Sequence, residues 1–446
     1  MRSEIITNFA IAILVTACGT NAASTTSTKT KTTKTTTTKV STTTTPTNCI
    51  FTTYSDFSSY KTCSNILIQG PITVPAGSLI DLSKLATGAT VTVSGNITFP
   101  HSSALTHSDF LITVGGAGIT FQGDSSNPAI LDGSGAGYWD GQGSNGGVAK
   151  PKFFSLKTTA TSVIKNIKIV NAPVQCFSIS ASDTTLDSIT IDDSAGDALT
   201  STGITYAHNT DAFDVSGTNV AIINSWVHNQ DDCLAIKTGT GFNFFNNTCI
   251  GGHGISIGSI GSGDIVSTVL VKNCTVENSL NGIRIKTDAG ASGGSVKNVI
   301  YEDIILKNIV KATNSTDPPA MGICVRQDYN NGNPTLDPSG TIPISNLTVT
   351  NIVGTVTSNS FGTAYSTFIL CTPGECSDFT FSGINITPVH TNCTNISPLP
   401  TVYRAYGAAG GVLREVDSKY YTFAAWSGDL NNLEMIGRMD GNAKWD

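Results

Sequence analysis

The sequence predicts an all-β fold, a single-stranded parallel β-helix of about ten coils. Two observations carry this prediction. Asp211, Asp232 and His253 follow one another at intervals of 21 residues, the pattern of one repeating structural coil. Short runs rich in Val, Ile and Leu recur at 220–223, 234–236, 255–257, 269–271 and 283–285. Helical periodicity is nearly absent, so we expect stacked strands rather than stacked helices.

Stacking decides which residues become neighbours. In a parallel β-helix each coil lies about 4.8 Å from the previous one, so side chains one coil apart are adjacent. Alternation along each strand turns polar residues outward and apolar residues inward. The side chains predicted to face one groove are Asp211, Asp231, Asp232, His253, Arg284 and Lys286. Those predicted to stack in the interior include Phe213, Leu234, Ile236, Ile255, Ile257, Ile283 and Ile285.

The groove residues predict chemistry on an acidic sugar polymer. Glycosidic hydrolysis requires paired carboxylates, and two cations can recognise the carboxylate of a uronate. Because strand alternation would turn one member of the Asp231-Asp232 pair inward, we expect a bend that exposes both. Repulsion among the carboxylates predicts at least one pKa above about 3.9, opposed by a protonated His253, and hence an acidic activity optimum. Asp214 is interpreted as structural.

Five segments of the chain, in order, resemble the polygalacturonases of glycoside hydrolase family 28. They are Asn209-Thr210-Asp211, Gln230-Asp231-Asp232, Gly252-His253-Gly254, Arg284-Ile285-Lys286 and Gln327-Asp328-Tyr329. The resemblance runs roughly from Cys49 to Cys393. It implies a right-handed parallel β-helix that hydrolyses α-1,4-galacturonosidic bonds in pectin with inversion. It implies neither a cofactor nor a metal.

The resemblance also implies catalytic roles for four residues. Asp231 is expected to be the general acid. Asp211 and Asp232 are expected to hold and deprotonate the attacking water. His253 completes the catalytic set by influencing which carboxylate keeps a proton.

Four further residues are implied to bind substrate. Asn209 is expected in the groove beside the base. Arg284, Lys286 and Tyr329 are expected to contact the sugar on the leaving-group side, with the arginine and lysine recognising its carboxylate.

Eleven cysteines suit an oxidising compartment. The resemblance implies three disulfides, which join Cys49 with Cys63, Cys233 with Cys249, and Cys371 with Cys376. Three other cysteines are predicted to lie in the stacked interior as small apolar residues: Cys176, Cys274 and Cys324.

The chain divides into four predicted parts. Residues 1–23 read as a signal peptide, with a bacterial lipoprotein site ending at Cys18 as the alternative. Residues 24–48 form a disordered linker of Thr, Ser and Lys. Residues 49–398 are predicted to form the catalytic β-helix, and 399–446 a tail of unclear role. Asn-x-Ser/Thr sequons indicate a glycoprotein in a eukaryotic host.

Charge and motifs set the expected partners and the competing hypotheses. The formal charge of −7 gives no long-range attraction for a polyanion, so nucleic acid is not expected. We expect a secreted, extracellular monomer without a membrane span that acts on polygalacturonate and meets plant polygalacturonase-inhibiting proteins. The alternatives are an exo-acting polygalacturonase, a Ca²⁺-dependent pectate lyase, and an inactive pectin-binding relative that serves as an inhibitor decoy.

Overall fold

The computed structural model describes residues 47–330, 334–388, 391–394, 403–405 and 421–423. The predicted signal peptide, nearly all of the predicted linker and most of the predicted tail lie outside these residues and stay predictions. Within them no helix has the length and apolar character needed to span a membrane.

Strands dominate the described part of the chain. They are β1 (Asn48–Phe51), β2 (Asn65–Gln69), β3 (Ile72–Thr73), β4 (Ile80–Leu82), β5 (Thr90–Ser94), β6 (Asn96–Thr98), β7 (Phe110–Ala117), β8 (Thr120–Gly123), β9 (Ala129–Asp132), β10 (Lys152–Thr159), β11 (Ser162–Lys165), β12 (Ile167–Val170), β13 (Phe177–Asp187), β14 (Thr190–Asp192), β15 (Phe213–Ile223), β16 (Trp226–Asn229), β17 (Leu234–Phe245), β18 (Thr248–Gly251), β19 (Ile255–Ile260), β20 (Ile265–Glu277), β21 (Asn281–Asp288), β22 (Ser295–Val310), β23 (Ala320–Tyr329), β24 (Ile344–Thr357), β25 (Ala364–Leu370), β26 (Cys376–Thr387), β27 (Thr391–Thr394), β28 (Tyr403–Ala405) and β29 (Tyr421–Phe423). Short 3-10 helices occupy Tyr54–Thr62, Gly135–Gly137, Gly143–Asn145 and Ser194–Asp197.

The strands form the predicted parallel β-helix. One ladder runs in parallel from coil to coil through β4, β7, β10, β13, β15, β17, β19, β21, β23, β25 and β27. This ladder follows the chain without a change of order, which confirms a solenoid of about ten coils. Past residue 398, β28 pairs in parallel with β26, and β29 pairs antiparallel with β27. Part of the predicted tail therefore adds strands to the sheet.

The interior is built from residues stacked in register. Phe154 pairs with Phe177, which pairs with Phe213, and the ring centroids lie 4.8 and 5.5 Å apart. This stacking gives aromatic contact in addition to burial. Every residue predicted to point inward is buried in the same core: Phe213, Leu234, Ile236, Ile255, Ile257, Ile283 and Ile285.

Asparagine is common in this chain because it occupies tight turns between strands. Asn224 and Asn246 both have φ of 55°, a left-handed conformation that asparagine tolerates better than most residues. Their side chains are linked by hydrogen bonds from coil to coil. Asn246 Nδ2 donates to Asn224 Oδ1 at 3.3 Å, and Asn224 Nδ2 donates to Asp187 Oδ1 at 2.9 Å. The turns are therefore stacked by side chains as well as by backbone.

The three expected disulfides are present, with Cα–Cα distances of 5.9, 5.9 and 6.1 Å for the bridges at Cys49, Cys233 and Cys371. The three cysteines predicted to lie inside are free and buried: Cys176, Cys274 and Cys324. Cys233 follows the Asp231-Asp232 pair directly, so its bridge to Cys249 ties the end of that turn to the next coil.

Candidate active site

The candidate catalytic residues lie in the turns that lead into three successive strands of the main ladder. Asp211 precedes β15, the Asp231-Asp232 pair lies between β16 and β17, and His253 lies between β18 and β19. Arg284 and Lys286 lie on β21, the next strand of the ladder. The structure thus brings the predicted groove residues together on consecutive coils, as their 21-residue spacing predicts.

Asn229 shapes the turn that carries the two adjacent carboxylates. Its buried Nδ2 donates to the backbone oxygens of Thr210, Asp231 and Asp232 at 2.8, 3.0 and 3.0 Å. One amide therefore holds the turn closed and joins it to the turn that contains Asp211. The two carboxylates therefore lie in a turn rather than on an extended strand.

The glycines beside His253 make its turn possible. Gly252 and Gly254 have φ of 59° and 79°, where residues with a side chain are strained. A Cβ at Gly252 would collide with the Asp231 carbonyl, and one at Gly254 would collide with the Asn281 carbonyl. The Gly-His-Gly motif therefore lets the histidine turn sit close to its neighbouring coils.

Asp232 is bound by protein cations. Arg284 Nη2 pairs with its Oδ1, Lys286 Nζ lies 2.9 Å from its Oδ2, and Ser256 Oγ donates to Oδ1 at 2.7 Å. Burial alone would raise the pKa of Asp232, but the two cations outweigh it and the pKa is lowered. Asp232 is therefore ionised at mildly acidic pH.

Asp231 forms a separate pair with His253. His253 Nδ1 lies 3.0 Å from Asp231 Oδ1, and Asn209 Nδ2 donates to Asp231 Oδ2 at 3.0 Å. Burial favours the neutral form of Asp231, yet the charge and hydrogen bond of His253 hold its pKa well below the usual range. Burial opposes the charged form of His253 too, but Asp231 raises the pKa of this imidazole. The pair therefore holds one proton between the two groups, and that proton resides on the imidazole of His253.

Asp211 differs from both other carboxyls. Burial raises its pKa well above the usual range, and repulsion from Asp231, Asp214 and Asp232 adds to this. Burial also raises the pKa of the neighbouring Asp214 to about 6, against the opposing charge of Lys237, whose Nζ lies 4.0 Å away. Asp211 and Asp214 therefore hold their protons more tightly than an ordinary aspartic acid, as repulsion predicts, although burial is the larger cause.

Tyr329 lies beside Lys286, another residue that the sequence predicts to bind substrate. Lys286 Nζ lies over its ring, 4.7 Å from the centroid, which is a cation–π contact. Tyr329 is the last residue of β23, and it pairs with Asp288 at the end of β21. The tyrosine and the two cations therefore form one surface next to the carboxylates.

A metal site is the other arrangement these residues could form. Candidate ligand atoms of Asp231, Asp232 and His253 lie within 4.8 Å of one another. However, Asp232 is already paired with Arg284 and Lys286, and Asp231 with His253. A divalent cation would meet two side-chain cations here, so the donor set fits acid–base chemistry better than a resident metal.

One expectation about the site needs correction. The bend at Asp231 and Asp232 does not expose them, because they are 6% and 0% exposed; hydrogen bonds and side-chain cations satisfy them. Asn209, expected beside the base, donates a side-chain hydrogen bond to Asp231, the expected acid. Its left-handed backbone conformation, with φ of 54°, turns the side chain toward that neighbouring coil.

Three polar residues belong to the site that the motifs did not reveal. Ser256 bonds both Asp232 and Arg284, the latter at 3.0 Å. Asp214 adjoins the carboxylate cluster, although the sequence suggested only a structural residue. Asp317 Oδ2 lies 3.9 Å from His253 Nε2. The alternation of inward and outward residues along a strand could have indicated Ser256 and Asp214, because each follows an inward residue. It could not indicate Asp317, which lies in a loop.

Comparison with known proteins agrees with this geometry. A family model described as glycosyl hydrolases family 28 matches residues 63–404. The chain is 46% identical over 344 residues to endopolygalacturonase I of Aspergillus oryzae, covering 76% of this chain and 87% of that protein. It is 45% identical over 350 residues to an endo-polygalacturonase of Sclerotinia sclerotiorum, covering 77% and 83% of the two chains.

Solved structures support the same assignment. Endopolygalacturonase I from Stereum purpureum, complexed with two galacturonates, superposes with a TM-score of 0.57 at 34% identity over 76% of this chain and 96% of that one. An endo-xylogalacturonan hydrolase from Aspergillus tubingensis has a TM-score of 0.64 at 20% identity over 80% and 98% of the two chains, which shows the fold alone. By its family model, its relatives and its fold, the chain belongs to glycosyl hydrolases family 28.

Proposed function

We propose that this protein is an endo-polygalacturonase that hydrolyses α-1,4-galacturonosidic bonds in pectin with inversion. The observation that carries the proposal is the cluster of three carboxyl groups, Asp211, Asp231 and Asp232, set beside Arg284 and Lys286 on adjacent coils. Relatives at 45–46% identity are named endopolygalacturonases, and a structural neighbour binds galacturonate. Carboxyl groups supply the acid and base, and the cations suit a substrate that is itself a polyanion.

In this proposal Asp231 and His253 together supply the acid. The proton held at His253 Nδ1 moves to Asp231 and from there to the glycosidic oxygen as the bond to the anomeric carbon breaks. His253 is left neutral, and the departing sugar carries the proton as a hydroxyl. This accounts for an acid whose own pKa is lowered, because the histidine, 3.0 Å away, stores the proton until it is needed.

Asp211 and Asp232 divide the work on the attacking water. The raised pKa of Asp211 makes it the stronger base of the two, so it takes the proton as water attacks the anomeric carbon. Asp232, kept ionised by two cations, orients the water. An inverting reaction needs about 6.5–9.5 Å between acid and base to admit that water. Carboxyls on neighbouring coils suit this separation better than carboxyls within one turn.

Substrate recognition is proposed to rest on Arg284, Lys286 and Tyr329. Two nitrogens of Arg284 already bond Asp232 and Ser256, so the substrate carboxylate would share these cations with the enzyme. Lys286 stands over the Tyr329 ring, which fixes the ammonium group in one direction. We propose that a uronate carboxylate completes this charge cluster on the leaving-group side of the cleaved bond.

The cellular setting is also a proposal. Three disulfides favour an oxidising compartment, so we propose that the protein is secreted. A monomeric state and contact with plant inhibitor proteins stay predictions.

The test measures viscosity and reducing ends together, with demethylated polygalacturonate at about pH 5. Endo hydrolysis predicts a rapid fall in viscosity with few new ends, no effect of EDTA, and initial products of inverted anomeric configuration by NMR. Asp231→Asn should lower kcat by about 10²–10⁴-fold, while Asp303→Asn, which removes one carboxylate from β22, should not. Slow viscosity loss would instead indicate exo action, and an unsaturated product would indicate a lyase. Binding of the polymer without release of new reducing ends would indicate an inactive pectin-binding relative.

A further inference from the structure

Two long connections flank the candidate active site on the edge of the solenoid where the catalytic turns lie. Three short turns at 230–233, 252–254 and 278–280 lead into successive strands of the ladder. Segment 193–212 precedes them, and loop 311–319, between β22 and β23, follows them. The two long connections meet, since Asn314 N donates to the Gly203 carbonyl at 3.2 Å. They therefore bridge the short turns that carry the acid and the histidine.

Loop 311–319 is held in one position. Lys311 Nζ donates to the Asp317 carbonyl at 2.6 Å, and Asn359 Nδ2 donates to the Lys311 carbonyl at 2.9 Å. Two prolines, at 318 and 319, follow Asp317. Proline fixes its own φ and favours an extended conformation for the residue before it. The backbone that presents the Asp317 side chain is thus restrained on both sides.

This loop brings a carboxylate to the outer side of His253. Asp317 Oδ2 lies 3.9 Å from His253 Nε2, within ion-pair range though beyond a hydrogen bond. The other ring nitrogen, Nδ1, bonds Asp231. The side chains of His253 and Asp317 are only 14% and 20% exposed, so solvent screens their attraction less than it would at an open surface. Both nitrogens of this imidazole therefore face a carboxylate.

We propose that Asp317 is a positioning residue for the acid of the reaction, acting as the second carboxylate partner of His253. An imidazole placed between two carboxylates is stabilised as an imidazolium, because each nitrogen then carries a proton toward an anion. The charged groups that face His253 are Asp231 and Asp232 from the preceding turn, Arg284 from β21, and Asp317 from its loop. The three carboxylates favour the charged ring, and the arginine opposes it.

The electrostatics agree with this geometry. Burial lowers the pKa of His253, and Asp231 more than reverses this; Asp317 acts in the same direction as Asp231. The consequence for catalysis rests on the proposed function. His253 retains its Nδ1 proton to higher pH than it would with Asp231 alone as its carboxylate partner. The enzyme would then remain able to protonate the leaving group further toward neutral pH.

The test combines a titration with a pH–rate profile, using the full-length protein and Asp317→Asn. The titration follows the His253 ring by NMR, with its signal assigned by its loss in His253→Gln. We expect the His253 midpoint to move to lower pH in Asp317→Asn. On the alkaline side of its optimum, kcat/KM should fall about two- to fivefold, as for loss of one partly exposed ion pair, with little change on the acidic side.

Two further variants separate charge from folding. Asp317→Glu keeps the carboxylate, so its kcat/KM on the alkaline side of the pH–rate profile should be close to that of the wild-type protein. Asp303→Asn removes a carboxylate from β22, outside both long connections, and should leave the His253 titration and the pH–rate profile unchanged. A general loss of activity at all pH values, with the His253 midpoint unmoved, would mean that Asp317 only holds its loop in place, and would overturn the proposal.

The two arms keep this inference distinct from the proposed function. If the wild-type protein releases no reducing ends from polygalacturonate, the proposed function fails, while the His253 titration still decides whether Asp317 sets the charge of the ring. If the midpoint moves but the alkaline limb of an active enzyme does not, the ion pair exists and its positioning role is overturned.

Discussion

Replacing Arg284 with methionine tests the reasoning about the buried charges most directly. Arg284 and Asp232 are 5% and 0% exposed, and they form an ion pair within the site. Methionine keeps much of the aliphatic volume but removes the charge and the bond from Nε to Ser256. Asp232 then keeps the charge of Lys286, 2.9 Å away, as its compensation in a buried position.

The expected cost follows from the burial. Removing one partner of a buried ion pair typically destabilises a protein by about 3–5 kcal/mol, because the other charge stays buried without compensation. Lys286 remains 2.9 Å from Asp232. We therefore expect the free energy of unfolding to fall by about 3 kcal/mol, near the lower end of this range.

The penalty should also depend on pH. Arg284 lowers the pKa of Asp232, so its removal raises that pKa. As pH falls through the raised value, the variant takes up a proton at Asp232 that the wild-type protein does not. Protonation removes the buried charge, so the difference in stability should be largest at neutral pH and should shrink toward about pH 4, near the ordinary aspartate value.

The assay is reversible urea unfolding followed by tryptophan fluorescence at two pH values. The control is Lys168→Met, which breaks the more exposed pair with Asp192 and should cost under about 1 kcal/mol. A double variant, Asp232→Asn with Arg284→Met, should be less destabilised than the sum of its single variants. This account of the pair would be refuted if Arg284→Met lowered the free energy of unfolding by less than about 1 kcal/mol. It would also be refuted if the losses of the two single variants added up to that of the double variant.

Two further predictions concern the base and the catalytic turn. Asp214→Ala removes a charge that helps to raise the pKa of Asp211, so the base ionises at lower pH and the acidic limb of kcat/KM should move to lower pH; an unmoved limb would contradict the role of Asp211. Cys233→Ala with Cys249→Ala opens a disulfide spanning 16 residues and should lower the free energy of unfolding by about 3 kcal/mol, measured in urea. A loss under about 1 kcal/mol would show that the turn is held without it.

The solenoid and the clustering of the motif residues could be predicted from the sequence. A coil that repeats makes residues one repeat apart into neighbours, so the 21-residue intervals between Asp211, Asp232 and His253 already implied contact across coils. Alternation along β21 likewise placed Arg284 and Lys286 on one face, and the structure has both of them bonded to the same carboxylate. Local pattern was sufficient because the fold is a stack of short-range repeats.

The charge states and the partners of these residues were decided only by the tertiary structure. Repulsion predicted at least one raised pKa but not that Asp211 would have it, because the outcome depends on burial and on which carboxyl lies beside His253. Asp317 had no detectable signal, since it lies in an irregular loop outside the coil repeat and reaches His253 only through the path of that loop. The sequence by itself determined which motif residues lie on neighbouring coils, because neighbours in a solenoid follow from the repeat. Which of them carries a proton follows from distances and solvent exclusion in three dimensions, and these have no periodic signature in the chain.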